Sequence, residues 1–507
     1  MTNDWNWPGS RWWRCDFHVH SPGSYDFKNR ESVTAQQWVE AAIAAKLDVV
    51  AVTDHNTGAF VEKALAAAAG TQLRVIPGVE LSVSPGIHLL ALFDPAKPPN
   101  CATNLVAAVG IPDERVGQRD ALSLQSLSEV LRLATERGAV CIAAHVDGPD
   151  GLAVVIPQGQ SLLEIVQDPK LAAVEAKDPQ APALAYFANN RGQNGRLVPP
   201  LPVVTFSDAH RLEEIGRVAT TWLKLTQPTA EGIRLALSDG PSSVIPAALS
   251  SGDPNRHASC VIESIEVEEG RYLGRGKPFV VRLNPWLNAI IGGRGTGKSS
   301  LLNFLRVALR RGDELKDVKL REEFDDFLKV YQSRNGQGLL TEDTLVRVVY
   351  RKDGGRFRIQ WNRTGSVSPI EEETSAGWVP SEGEIPSRFP VRIFSQKQAF
   401  GLSQEPKHLL KLVDEAAEVG WVQWNQLWSQ EEARYLALRA KARELAASLA
   451  EEPKLKGELA DLARKQQAFE QAGRAETLQS YQRRTRQRRA LDAWVRSATE
   501  PAARLKA

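Results

Sequence analysis

Between residues 14 and 225 seven short apolar runs alternate with helical segments, and this alternation constrains the fold more than any other feature. The runs are 15–19, 48–52, 73–83, 87–93, 140–144, 172–176 and 202–206. Segments 32–47, 60–69, 122–137 and 182–190, rich in Ala, Leu, Glu and Gln, lie between them. Buried strands alternating with helices predict an α/β fold with a parallel sheet, open or closed into a barrel. At roughly 150 residues per domain, the 507 residues allow about three folding units. The 63 Lys+Arg against 61 Asp+Glu exclude a highly basic nucleic-acid-coating protein and an acidic solvating tail, but not a local basic groove. Cys15, Cys101, Cys141 and Cys260 lack C-x-x-C spacing, so neither a disulfide framework nor a thiolate zinc site is indicated. No stretch approaches the roughly 20 apolar residues of a membrane span. A soluble, reduced, cytoplasmic protein is expected, with no membrane partner.

Three boundaries divide the chain. Residues 1–237 hold the α/β pattern, and the Ser/Pro/Gly/Ala-rich stretch 238–258 reads as a linker. Residues 259–419 alternate strand-like runs with polar turns, including a predicted hairpin over 345–361 around an Asp-Gly-Gly turn. From residue 420 the composition shifts to Ala, Glu, Arg, Leu and Gln. Leu438, Ala442, Leu445 and Leu449 follow 4-3-4 spacing, and Leu455, Leu459, Leu462, Gln466 and Phe469 follow 4-3-4-3 spacing. Pro453 separates the two registers, so a kink or stutter is expected there. This predicts one coiled-coil arm over 420–507, about 130 Å long if wholly helical, with no second strand to cover its seam.

Six of the eight histidines, His18, His20, His55, His88, His145 and His210, fall at the ends or starts of the N-terminal apolar runs. Asp26, Asp54, Glu80 and Asp208 accompany them, whereas His257 and His408 lie outside the pattern. The carboxyl ends of parallel strands converge on one rim, where ligand and catalytic groups gather. Nitrogen and carboxylate donors on one rim suit Mn, Zn or Fe.

The elements His18-x-His20, Thr53-Asp54-His55, Gly78-Val79-Glu80, His145 and Ser207-Asp208-Ala209-His210 resemble the PHP (polymerase and histidinol phosphatase) metallophosphoesterase family. The resemblance covers about residues 10–225. It implies a distorted (β/α)7 barrel holding up to three divalent metals at its carboxyl-end rim. The implied ligands are His18, His20, Asp26, His55, Glu80, His88, His145, Asp208 and His210, with Asp54 orienting its neighbours. His18, His20, His55, Asp208 and His210 are the implied catalytic group. A bridging hydroxide would attack phosphorus, and Arg211, Arg217 and Lys177 are candidates for holding phosphate.

Gly292-Gly293-Arg294-Gly295-Thr296-Gly297-Lys298-Ser299, with Ser300 following, satisfies G-x-x-x-x-G-K-[ST]. Backbone N–H groups of such a loop cradle phosphates, the lysine reaches the β/γ-phosphates and the hydroxyl ligates Mg²⁺. The apolar run 287–291 before it predicts a strand, and Leu301, Leu302, Phe304 and Leu305 predict a helix over 299–310. ATP and Mg are therefore expected ligands. The region resembles the N-terminal lobe of an SMC/ABC-type P-loop ATPase head, in which Gln396 or Gln398 would be the Q-loop glutamine. No Asp-Glu-ending strand and no LSGGQ-like signature follows the arm. Either the sequence is truncated, or a second polypeptide supplies the other half. A homodimer through the heads is a further possibility, and the sequence leaves open whether this chain alone hydrolyses ATP or only binds it. The domain order, with the opening PGSRWWRCDFHVHSPGSYDF, resembles the TrlF-like family of PHP–ATPase fusions.

Arg483, Arg484, Arg486, Arg488 and Arg489 read either as a phosphate contact or as the solvated face of a coiled coil. Trp5, Trp7, Trp12 and Trp13 read as stackers on bases or as packing across the barrel. The leading expectation is a metal-dependent phosphodiesterase acting on DNA or RNA, controlled by an ATP-bound head. The alternatives are a phosphomonoesterase acting on nucleotides or small esters, and a non-catalytic ATP-dependent nucleic-acid clamp.

Overall fold

The computed structural model describes residues 5–191, 201–315, 317–330, 338–404, 406–414 and 419–504. The chain forms two compact units, Met1–Ile393 and Phe394–Ala507.

The first unit opens with β1 (Arg11–Asp16), β2 (Val49–Val52), β3 (Arg74–Val83), β4 (Ile87–Leu92), β5 (Val140–Ala143), β6 (Leu171–Glu175), β7 (Val203–Val204), β8 (Thr221–Leu225) and β9 (Val244–Pro246). They form one sheet in the order β7-β6-β5-β4-β3-β2-β1-β8-β9. The sheet curls into a nearly closed barrel. Thr205, just after β7, donates its N–H to Thr221 Oγ1 on β8 at 2.8 Å, and its own hydroxyl donates to the Thr220 carbonyl at 3.0 Å.

The sheet is mixed rather than wholly parallel. β1, β2 and β3 run parallel to one another, as do β5, β6 and β7, but β4 is antiparallel to both its neighbours. Only Ser84, Pro85 and Gly86 separate β3 from β4, and a parallel return needs a crossover of a dozen or more residues. β8 and β9 also run antiparallel, and β9 lies within the stretch expected to be a linker. There Val244 and Pro246 are buried and complete the sheet edge.

Alternation sorts the strand residues. Cys15, Val49, Ala51, Ile76, Leu90, Leu92, Ile142 and Leu223 share an inner cluster with Ile233 and Leu237 from the helix Ala230–Asp239. Trp38 and Val39, on the helix Ala35–Ala44, cover the outside with Val61 and Ala64 from Val61–Ala68. Thr34 and Gln37 form a capping box at the start of Ala35–Ala44, satisfying otherwise unpaired N–H groups. Each fully buried Val, Leu or Phe contributes about 1.5–3 kcal/mol.

A second, antiparallel sheet follows: β10 (Cys260–Glu268), β11 (Phe279–Arg282), β12 (Leu345–Lys352), β13 (Gly355–Asn362), β14 (Ile370–Thr374) and β15 (Gly377–Pro380), in the order β11-β10-β12-β13-β14-β15. Asp353 (φ 50°) and Gly354 (φ 84°) make the β12–β13 turn, the left-handed pair a two-residue hairpin requires. Val346, Val348, Tyr350 and Ile359 bury one face of this sheet against Phe304 and Leu305 of the helix Lys298–Ala308.

The strand expected over 287–291 does not form. No sheet partner pairs with it among the described residues, and Leu287 and Ile291 are 94% and 93% exposed. The tryptophans separate into two roles. Trp12 is buried beside β8, whereas Trp5 stacks on Trp286 at 4.9 Å and Trp7 meets His257 edge-on at 5.3 Å. Asn284 Nδ2 donates to the carbonyls of Pro8 and Ser10, fastening that segment beside the second sheet.

The second unit is helical: Gln396–Gln404, Pro406–Asp414, Trp421–Ala450, Glu452–Phe469 and Ala475–Arg504. The helix breaks at Glu451, two residues before Pro453. A π-helical turn, Glu470–Arg474, precedes the last helix. No residue of Trp421–Ala450 or Glu452–Phe469 is buried, and the seam residues Leu445, Leu449, Leu459 and Leu462 are exposed. A packed coiled coil is therefore not formed among the described residues. No described helix is long and apolar enough to cross a membrane.

Candidate metal centre

All nine residues expected to bind metal meet at one end of the barrel. Glu80, on β3, is the hub: its carboxylate lies 2.7 Å from His55 Nδ1, 2.8 Å from His88 Nδ1, and 3.3–3.4 Å from His18, His20 and His145. Asp26 Oδ2 lies 3.2 Å from Nε2 of both His55 and His210. Asp208 Oδ1 lies 3.3 Å from His18 Nε2 and 3.4 Å from His20 Nε2. Three groups of donor atoms are close enough to hold an ion: His20, Asp26, His55 and His210; His18, His20 and Glu80; and His55, Glu80 and His88. They share members, so any ions they hold are close neighbours.

The donor set fits divalent metal on a further observation. His18 Nε2, His20 Nε2, both ring nitrogens of His55, Glu80 Oε2 and Asp208 Oδ1 are buried without a hydrogen-bond partner. Polar atoms in that position are costly unless something occupies the space between them. His18, His20, His55, Glu80, His88 and His145 are nearly inaccessible, whereas the side chains of Asp26, Asp208 and His210 are 36%, 27% and 25% exposed. The centre thus opens to solvent on the Asp26–Asp208–His210 side.

Local backbone and outer hydrogen bonds set these positions. His145 (φ 25°) and Asp208 (φ 50°) occupy the left-handed region, strain that concentrates at functional sites. Gly151 lies against the His145 turn, where an added Cβ would come within 2.3 Å of the His145 carbonyl. Gly23 does the same for the first loop, since a Cβ there would meet Asp54 Oδ2 at 2.4 Å. Asp54 binds no donor group of the centre. It accepts from Ser21 N–H at 2.6 Å and from the Ser21 hydroxyl, and burial pushes its pKa up to about 6 against those bonds. Ser24 Oγ accepts the His55 backbone N–H and lies 3.0 Å from His20 Nδ1. With Nδ1–H donating there, the His20 Nε2 lone pair faces the centre.

Glu175 was not among the expected site residues, yet it serves the same function for His18. Its Oε2 lies 2.8 Å from His18 Nδ1 and accepts the His145 backbone N–H at 3.2 Å. The signal was present in the sequence as the one charge inside the apolar run 172–176. Burial opposes protonation of His18, but the carboxylates of Glu175, Glu80 and Asp208 outweigh it and raise its pKa. Burial likewise opposes protonation of His55, and Glu80 with Asp26 outweighs that to reach about 9. His20 differs: burial, reinforced by His55 and His210, lowers its pKa to about 3.

Of the cations considered for phosphate, Arg211 follows His210 and pairs with Glu214, which also accepts the His210 N–H, whereas Lys177 and Arg217 line a cavity of about 280 Å³ with Arg14 and Thr205. His257 belongs to the tryptophan contact, and the side chain of His408 lies outside the described residues. In the loop 292–297, Gly295 (φ 83°) and Gly297 (φ 91°) adopt the left-handed conformation, and Lys298 Nζ donates to the Gly292 and Gly293 carbonyls at 2.6 Å. Ser299 and Ser300 occupy the first turn of the helix behind it. Gln396 opens a helix of the second unit.

No protein-family model matches the sequence, and no curated protein does. Among solved structures, 28 chains match. The lesion-specific endonuclease Q of Pyrococcus furiosus is similar at 18% identity and a TM-score of 0.36, over 45% of this chain and 56% of that one. This chain therefore spans a little over half of endonuclease Q. A two-domain Bacteroides vulgatus protein, described as containing predicted PHP-like metal-dependent phosphoesterase, is similar at 14% identity and a TM-score of 0.36, over 56% of this chain and 87% of that one. Endonuclease Q has also been solved with a 27-mer duplex bearing an abasic lesion, and matches at 18% identity and a TM-score of 0.35, over 45% of this chain and 57% of that one. What the centre can do follows from its own geometry.

Proposed function

We propose that the barrel is a metal-dependent phosphodiesterase acting on nucleic acid, coupled to an ATP-binding loop in the same chain. The observation that carries this reading is the convergence of nine nitrogen and carboxylate residues, seven of them in three overlapping donor groups, with six buried donor atoms of the cluster unpartnered. Divalent ions bound by such donors supply Lewis acidity toward a phosphoryl oxygen and lower the pKa of a water nucleophile. Glu80 and the buried histidines would hold the inner positions, with Glu175 and Ser24 fixing which ring nitrogen of His18 and His20 faces inward. Asp26, Asp208 and His210 line the accessible side, where a phosphodiester can approach without unfolding the barrel.

ATP with Mg²⁺ is assigned to residues 292–300, where positive-φ glycines open the backbone and Lys298 heads a helix N-terminus. The test is incubation of the full chain and Mn²⁺ with DNA and with tRNA, with and without ATP. Cleavage that is lost in His20→Ala supports the reading. No cleavage under any condition, or cleavage indifferent to His20→Ala, overturns it. Phosphate release from small monoesters without polymer cleavage selects a phosphomonoesterase instead.

A further inference from the structure

The last helix, Ala475–Arg504, carries Arg483, Arg484, Arg486, Arg488 and Arg489 within two turns, and every one is exposed. Elsewhere in this unit some basic side chains pair with acids on their own helix, as in Arg434–Glu431, Lys456–Glu452 and Lys465–Asp461. None of the five arginines forms an ion pair among the described residues, and no acid lies between Glu476 and Asp492.

Their angular distribution separates the two readings of the motif. At about 100° per residue the five side chains surround the helix, and no arc between neighbouring arginines exceeds about 100°. Those two widest arcs hold Gln487 and Thr485 within the segment, not apolar residues. A coiled-coil seam takes two positions of every seven, three or four residues apart, and the two positions of 483–489 that are not arginine, Thr485 and Gln487, lie only two apart. A helix seam cannot pass through 483–489 without burying an arginine, so a solvated coiled-coil face does not account for the cluster.

We infer that this belt is a docking site for the phosphate backbone of nucleic acid. Arginine pairs with phosphate through two parallel N–H donors, a geometry lysine lacks. Tyr481 lies at i, i+3, i+7 spacing with Arg484 and Arg488, and its ring is 68% exposed, while Trp494, 69% exposed, lies two turns beyond Arg486. Exposed aromatic rings beside cations offer stacking surfaces to bases. An acidic protein segment would satisfy the charges but would have no use for the rings.

The choice of nucleic acid over other polyanions rests on the phosphodiesterase reading of the barrel, so binding is measured apart from cleavage. The full chain in EDTA is titrated into a fluorescein-labelled, mixed-sequence DNA duplex, and into single-stranded DNA and RNA, while anisotropy is read. Between about 50 and 200 mM salt the affinity should fall steeply, as counterion release requires. Replacing all five arginines by Gln should weaken binding about tenfold or more at the lowest salt and flatten the log–log slope by about 0.9 for each phosphate no longer neutralised. The smaller change Arg484→Gln with Arg488→Gln should give a partial effect and serves if the larger one alters far-UV helicity. Hydrolysis of bis(p-nitrophenyl) phosphate should be the same in all three proteins. Absence of binding by the parent at low salt, or equal affinity and slope in the variants, overturns the proposal. So does displacement of the duplex by poly-glutamate as effectively as by unlabelled duplex, which points to an acidic protein partner. Loss of ester hydrolysis in the parent with binding intact instead strikes only the reading of the barrel.

Discussion

Glu80 sits among five imidazoles, and the centre depends on its two oxygens being shared between them. Burial alone would raise its pKa, but His55, His88 and His18 hold it well below the carboxylate range. In the metal-free chain His55 is protonated at neutral pH, since its pKa is near 9. Metal must displace that proton, so metal affinity should rise with pH towards about 9 and fall as pH drops. Calorimetric titration of Mn²⁺ in buffers of different ionisation enthalpy should detect proton release; none would contradict this account of His55. Glu175 acts one step further out. Glu175→Ala should lower metal affinity about 10–100-fold with the fold retained, and Glu175→Gln should recover part of that affinity because its amide oxygen can still accept from His18 Nδ1. Equilibrium dialysis against a competing chelator measures both.

At the scale of elements, loops carry seven of the nine donors, while Glu80 on β3 and His88 on β4 lie within strands. The turn that holds His145 closes against Gly151, and Gly151→Ala should destabilise the barrel by about 1–3 kcal/mol through overpacking. Thermal melting with measurement of bound metal would show a lower midpoint and reduced metal content together. Lys298→Ala should abolish nucleotide binding, read by fluorescence of a labelled ATP analogue, while leaving metal content unchanged. Much of this was legible beforehand. The donors stood out because His and Asp ended apolar runs, and β2 to β6 lie within two residues of the runs that predicted them. Strand direction was less visible, although the three residues between β3 and β4 already excluded a parallel return. β9 hid in a Ser/Pro-rich stretch because a three-residue edge strand carries almost no periodic signal. The run 287–291 misled for the opposite reason: its apolar pattern suits a buried strand, but no described neighbour buries it. Glu175 shows in the sequence only as the one charge inside an apolar run, and its role is legible once its imidazole partner His18 is known.

At the scale of the whole molecule, the +2 net charge conceals a division. The first unit concentrates buried histidines and carboxylates, whereas the second ends in an unpaired arginine belt. Metal that binds only the folded barrel stabilises it by mass action. Chelation should therefore lower the melting transition of the first unit and leave the helical signal of the second in place, giving two resolved steps in circular dichroism. A single step moving as one would contradict independent units.

The proposed phosphodiesterase activity requires divalent metal held by the donor cluster around Glu80. The most direct measurement titrates Mn²⁺ into the metal-free chain, following bound metal by mass spectrometry and bis(p-nitrophenyl) phosphate hydrolysis in the same samples. The account predicts that activity rises with occupancy, and that His20→Ala and Asp208→Asn each lose metal and activity together while retaining the secondary structure of the parent. Hydrolysis that persists in the metal-free chain, or full metal occupancy with no hydrolysis at any stoichiometry, would contradict it.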